Sequence, residues 1–111
     1  SIGLHGPKCS HTIYMLDNLQ KTRFAGVLAH EMLHVWMNEK GISLQPQLTE
    51  GFCNVGSYVV YKAINTEMSL NMIKMLEQDP SPVYGDGFRR VVELYRKCNS
   101  LTQVMMQLKR L

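Results

Sequence analysis

The stretch R-F-A-G-V-L-A-H-E-M-L-H-V-W-M-N-E-K-G, Arg23 to Gly41, constrains the chain more than any other. At its centre His30-Glu31-Met32-Leu33-His34 forms an H-E-x-x-H pattern. On an α-helix, side chains four apart lie one turn above each other on one face. His30 and His34 can then present imidazole nitrogens to one zinc ion. Glu31, a fraction of a turn round, is placed to take a proton from the attacking water without being a ligand itself. The surrounding Val27, Leu28, Met32, Leu33, Val35 and Trp36 are apolar, which predicts a buried helix. Two histidines and a carboxylate in such a setting need partners, because an unpaired buried polar group is costly, and a metal supplies them.

With 111 residues, 45% of them hydrophobic, the chain is expected to form one domain around one core. No apolar run approaches the ~20 residues that span a bilayer, so no membrane partner is expected. The opening Ser1-Ile2-Gly3-Leu4-His5-Gly6-Pro7 has no signal-peptide character. Lacking an initiator Met, it reads as the start of a fragment of a longer protein. Cys9, Cys53 and Cys98 are odd in number and form no C-x-x-C, which argues for reduced thiols in an intracellular, cytoplasmic setting. Net charge is +3, and Arg89, Arg90, Arg96, Lys97, Lys109 and Arg110 face only Glu93 in the last part of the chain. They come in pairs rather than a dense run, which favours a solvated helix face over a nucleic-acid surface.

Taken in order, residues 1–10 read as an irregular lead-in, and His11 to Leu16 as a short strand closed by a turn at Asp17-Asn18. That strand would lie at an edge beside the active-site helix, holding extended substrate by strand addition or only covering the core. Thr22 is the expected N-cap of the H-E-x-x-H helix and Gly41 its C′ residue. A loop from Ile42 to Gln47 leads into a second buried helix, Leu48 to Lys62. Gly51 and Gly56 each cost that helix ~1 kcal/mol relative to Ala, a cost tolerated where two backbones pack closely. A third helix opens at Asn65-Thr66-Glu67 and runs to about Gln78, its Met68, Met72 and Met75 reading as adaptable core filling. Asp79-Pro80-Ser81-Pro82 ends it. Val83 to Gly87 is a flexible glycine-rich turn into a fourth helix, Phe88 to Lys97. Ser100 with Gln103 caps a last short helix. The fold class expected is mainly α within an α+β zincin plan, with one or two short strands.

A catalytic zinc site offers three protein ligands and leaves the fourth position to water. His5 and His11 precede the motif in weakly structured sequence. Glu50 is the better third ligand: it lies sixteen residues after His34, at the start of the next apolar helix. The competing reading is an acid that only favours the helix dipole. Asn54, one turn after Glu50, either orients a ligand histidine through its free ring nitrogen or packs between helices.

The blocks H-E-M-L-H-V-W-M, E-G-F-C-N-V and S-P-V-Y-G-D-G-F-R, in this order, resemble the peptidase region of the plant ubiquitin-activated, LIM-domain-containing growth-limiting peptidases. The resemblance covers roughly Arg23 to Arg90, with a looser match over Lys8 to Leu16 and no LIM domain. That family has two neighbouring acids before the glycine. Here Thr49 replaces the first and leaves Glu50. The resemblance implies a gluzincin-type zinc metallopeptidase with His30, His34 and Glu50 as ligands and Glu31 as base. It further implies an endopeptidase cutting selected intracellular proteins, with ubiquitin or ubiquitin-system proteins among its partners.

Tyr84-Gly85-Asp86-Gly87 is similar to the Y-x-x-G of the related aminopeptidases, whose tyrosine donates to the developing oxyanion; the other reading is a tyrosine packing at a turn. Arg89 either pairs with a substrate carboxylate or with Asp86. Two further function classes remain beside the hydrolase: an inactive zinc-stabilised interaction module, and a basic helical module binding an acidic partner from Arg89 onward.

Overall fold

The computed structural model describes residues 7–111, with side chains from Asp17 onward. Five helices make up this part: α1 (Pro7–Glu39), α2 (Pro46–Ile64), α3 (Glu67–Gln78), α4 (Gly85–Cys98) and α5 (Leu101–Leu108). Helix α2 is the hub, touching each of the other four. Its sequence explains the position. Leu48, Phe52, Cys53, Val55, Tyr58 and Tyr61 are spread around most of its circumference and are all buried. A helix apolar nearly all round has to be enclosed. Phe52 stacks on Trp36 of α1, and Tyr58 meets Phe88 of α4. Helices α2 and α4 cross with backbones touching: a Cβ on Gly51 would collide with the Gly87 carbonyl, and one on Gly87 with the Gln47 carbonyl.

The α+β expectation is overturned: among the described residues there is no strand, and the fold is all-α. The expected edge strand, residues 11–16, lies inside α1, whose backbone is helical from Pro7. Of the expected lead-in, residues 1–6 lie outside the described residues and residues 7–10 are helical. The physical reason is continuity. From Lys8 to Ala25 there is no glycine or proline to stop a helix started at Pro7, and β propensity over six residues is a weak preference. Asp17, read as a turn residue, instead pairs with Lys21 one helical turn on, at 3.0 Å. Thr22 caps nothing; it is buried in mid-helix, and its hydroxyl donates to the Asn18 carbonyl at 2.8 Å.

Burial of the H-E-x-x-H helix is also corrected. Leu33 and Trp36 pack against the core, whereas Phe24, Val27, Leu28, Met32 and Val35 are between 46% and 65% exposed. Helix α1 is thus half covered, with an apolar outer face. Likewise the methionines of α3 divide, Met72 entering the core and Met75 facing solvent.

The connections are short because each helix end is specified. Gly41, at φ +65°, closes α1: its N–H donates to the Asn38 carbonyl and that of Ile42 to Met37. That left-handed turn is the glycine C′ arrangement of a Schellman motif. Pro46 begins α2 at a position where its missing N–H costs nothing. Thr66 and Ser69 form a reciprocal cap on α3, and Ser100 Oγ accepts from the Gln103 N–H to start α5. The six residues between α1 and α2 therefore force the two helices into an antiparallel pair, which decides what faces the H-E-x-x-H turn.

Candidate metal centre

On α2 the polar residues Glu50, Asn54, Ser57 and Tyr61 fall at i, i+4, i+7 and i+11, a single stripe. The antiparallel pairing turns this stripe onto α1. Ser57 donates to the Gly26 carbonyl at 2.7 Å, fixing the register. Two turns back along α2, Glu50 Oε1 stands 3.1 Å from His30 Nε2 and 3.1 Å from His34 Nε2. The two Nε2 atoms are 3.2 Å apart. His30, His34 and Glu50 form a group able to hold a metal ion.

The donor set fits a divalent cation on two counts. Ligand atoms ~2.1 Å from a tetrahedral zinc stand about 3.4 Å from one another, close to this triangle. The chemistry agrees. His30 Nδ1 donates to Asn54 Oδ1 at 2.7 Å, an amide oxygen that can only accept. A neutral His30 therefore turns a bare Nε2 lone pair towards a carboxylate oxygen and a second imidazole. His34 Nε2 completes the group, and a cation between the three atoms satisfies all of them at once. Asn54 thus takes the orienting position.

Glu31 lies beside the triangle, its Oε1 4.0 Å from His30 Nε2 and its side chain 65% exposed to solvent. It shares with His30 a cleft of ≈ 340 Å³ whose walls include Val27, Leu76, Tyr61 and Tyr84. Tyr84 enters from the α3–α4 turn as the residue before α4. That turn is tied down rather than flexible. Arg89 donates to the Glu77 and Asp79 carbonyls at 2.7 and 2.8 Å, and Gln47 holds the Pro82 carbonyl at 2.8 Å. Arg89 also pairs with Asp86, so its guanidinium joins α3 to α4. Arg96 is held by Glu77 and Glu93 and Arg90 by Gln47, so three of the basic residues from Arg89 onward make internal contacts. No helix among the described residues is long and apolar enough to cross a membrane.

Ser57, Tyr61, Val27 and Leu76 are the cleft residues that sequence reasoning did not single out. The four-member stripe on α2 would have pointed to the first two. Nothing in the sequence brings Leu76 of α3 to that wall. Burial pushes the Tyr61 hydroxyl above its ordinary range, against the opposing effect of Arg23.

Cys53, next on α2, takes no part in the triangle. Burial, then the Glu50 and Glu31 carboxylates, push its thiol from 9.0 up to about 12. Thiolate is the reactive form, so Cys53 should resist iodoacetamide at pH 8 in the native protein and react once urea unfolds it; mass mapping of the alkylated site reads this. The folded state favours the neutral thiol. Its contribution to stability is therefore full below the unfolded pKa of 9.0 and is lost as pH rises towards about 12.

Comparison with known proteins agrees with the blocks read from the sequence at the level of family. A family model described as DA1-like, Protein DA1, matches residues 6–63. Protein DA1 of Arabidopsis thaliana is 32% identical over 106 residues, covering 69% of this chain and 20% of that protein. Protein DA1-related 1 of the same plant is 28% identical over 116 residues, covering 75% of this chain and 21% of its own length. Protein DA1-related 2 is 39% identical over 54 residues. The chain spans about a fifth of the length of the first two relatives. No solved structure matches it. With the family match extending over more than half of the chain and across both helices of the triangle, the chain belongs to the DA1-like family.

Proposed function

We propose that this chain is a zinc-dependent peptidase that hydrolyses peptide bonds in selected intracellular proteins. The observation that carries the reading is the convergence of His30 Nε2, His34 Nε2 and Glu50 Oε1 beside an exposed Glu31 at the mouth of a cleft. His30, His34 and Glu50 would hold the ion, with Asn54 fixing the His30 ring. Zinc bound there would supply a Lewis acid for the scissile carbonyl and a water of lowered pKa, towards ~7. Glu31 takes the proton of the attacking water and returns it to the departing amine. Tyr84 donates its hydroxyl to the oxygen that gains charge. Removing one such donor costs ~3 kcal/mol of barrier, so Tyr84→Phe should lower kcat by about two orders of magnitude with zinc retained. Steady-state kinetics alongside metal analysis read both halves of that prediction. Ubiquitin-system proteins are proposed as substrates or activators on the sequence resemblance alone.

The reading is tested by incubating the protein with a mixed peptide library, with and without a chelator. Cleavage that the chelator stops and zinc restores supports it; no cleavage, or cleavage indifferent to the chelator, refutes it. A second reading, a zinc-stapled interaction module without turnover, is favoured by the apolar outer face of α1, Phe24, Val27, Leu28, Met32 and Val35, which is the kind of surface binding modules expose. The same library assay separates the two.

A further inference from the structure

The cleft beside Glu31 is more than access to the metal. Val27 stands one turn before Glu31 on α1, and Leu76 reaches the same space from α3, so the two form apolar walls. Tyr61 from α2 and Tyr84 from the α3–α4 turn add aromatic surface. The Tyr61 ring is seated on the α1 backbone at Gly26, where no side chain larger than hydrogen fits. That wall is therefore preformed. Of the remaining lining residues, Asn54 is engaged with His30 and Ser57 with the Gly26 carbonyl, which leaves His30 and Glu31 as the polar pair that faces the metal centre. One helical turn is ~5.4 Å, which is the scale of the step from a carbonyl at the reacting pair to the side chain of the adjoining residue in an extended peptide.

We infer that this cleft is a specificity subsite for one large apolar side chain, aromatic or long aliphatic, next to the scissile bond, with Val27 and Leu76 as the residues that set the preference. The inference rests on the peptidase reading for the orientation of the peptide, and on the cleft's own lining for its chemistry. The occupant is a substrate side chain because the cleft is continuous with His30 and Glu31. At ≈ 340 Å³ it has room for one aromatic side chain. An acidic side chain would meet the Glu31 carboxylate and exchange water for Val27, Leu76 and Tyr61, a loss that an apolar one does not suffer.

The test separates binding from chemistry. Zinc-loaded Glu31→Gln protein is titrated with acetyl-Ala-X-Ala-amide peptides, X being Phe, Leu, Ala or Asp, while the methyl resonances of Val27 and Leu76 are followed by NMR. The Phe and Leu peptides should bind at least about 10-fold more tightly than the Ala and Asp peptides and shift those two methyl groups. Val27 is 52% exposed, so Val27→Trp fills the cleft without disturbing the core. In that variant the Phe-to-Ala preference should collapse to within about 3-fold. Equal affinity for all four peptides, shifts away from Val27 and Leu76, or an undiminished preference in Val27→Trp would each overturn the subsite. The wild-type protein is assayed for cleavage of the same peptides. Selective binding without cleavage keeps the subsite and removes the peptidase, whereas cleavage indifferent to X does the reverse.

Discussion

Glu31→Gln should leave the metal in place and lower kcat by ~10² to 10⁴, the range attached to a positioned general base. The expectation follows from where Glu31 is rather than from its place in a motif. Its carboxylate lies outside the triangle, 4.0 Å from His30 Nε2, and is mostly exposed. An amide of the same shape keeps the local packing but cannot accept the water proton. Zinc content equal to wild type, with hydrolysis reduced and KM little changed, is the expected pattern. A variant that cleaves peptides at the wild-type rate would leave Glu31 without a chemical role.

His34→Ala should lose both metal and hydrolysis. The three donors act as a unit, and removing His34 opens one corner. Glu50 Oε1 and His30 Nε2 remain 3.1 Å apart, a two-ligand remnant too weak to retain zinc through dialysis. A structural consequence follows by mass action. Zinc that binds only the folded chain stabilises it by ~2.7 kcal/mol at a hundredfold excess over Kd. Thermal melts of the wild-type protein should therefore rise in Tm on adding zinc, and those of His34→Ala should not. An unchanged zinc response in the variant would show that the ion is held elsewhere.

The 3.6-residue period carried much of this arrangement. It set His30 above His34 and Glu50 above Asn54, and the short connection with Gly41 and Pro46 implied that the two pairs face each other. Periodicity could not say which face of α1 would find a partner. Trp36 and Leu33 are as apolar as Val35 and Met32, yet only the first two meet α2. That division is a property of the assembled bundle. The strand expected at residues 11–16 failed because a local β preference was weighed without the uninterrupted helix-compatible sequence around it. The cleft was illegible for another reason. Its walls come from α1, α2, α3 and the α3–α4 turn, and their meeting depends on the Gly51–Gly87 crossing and the Arg89 and Gln47 ties that fix the turn.

Two imidazoles one turn apart on α1 and a carboxylate from α2 should together hold one divalent ion. Anomalous diffraction at the zinc edge, from crystals of the zinc-loaded protein, tests it most directly. One strong peak per chain is expected, bounded by His30 Nε2, His34 Nε2 and the Glu50 carboxylate. No peak there, or a peak held by other side chains while these three point apart, would contradict it.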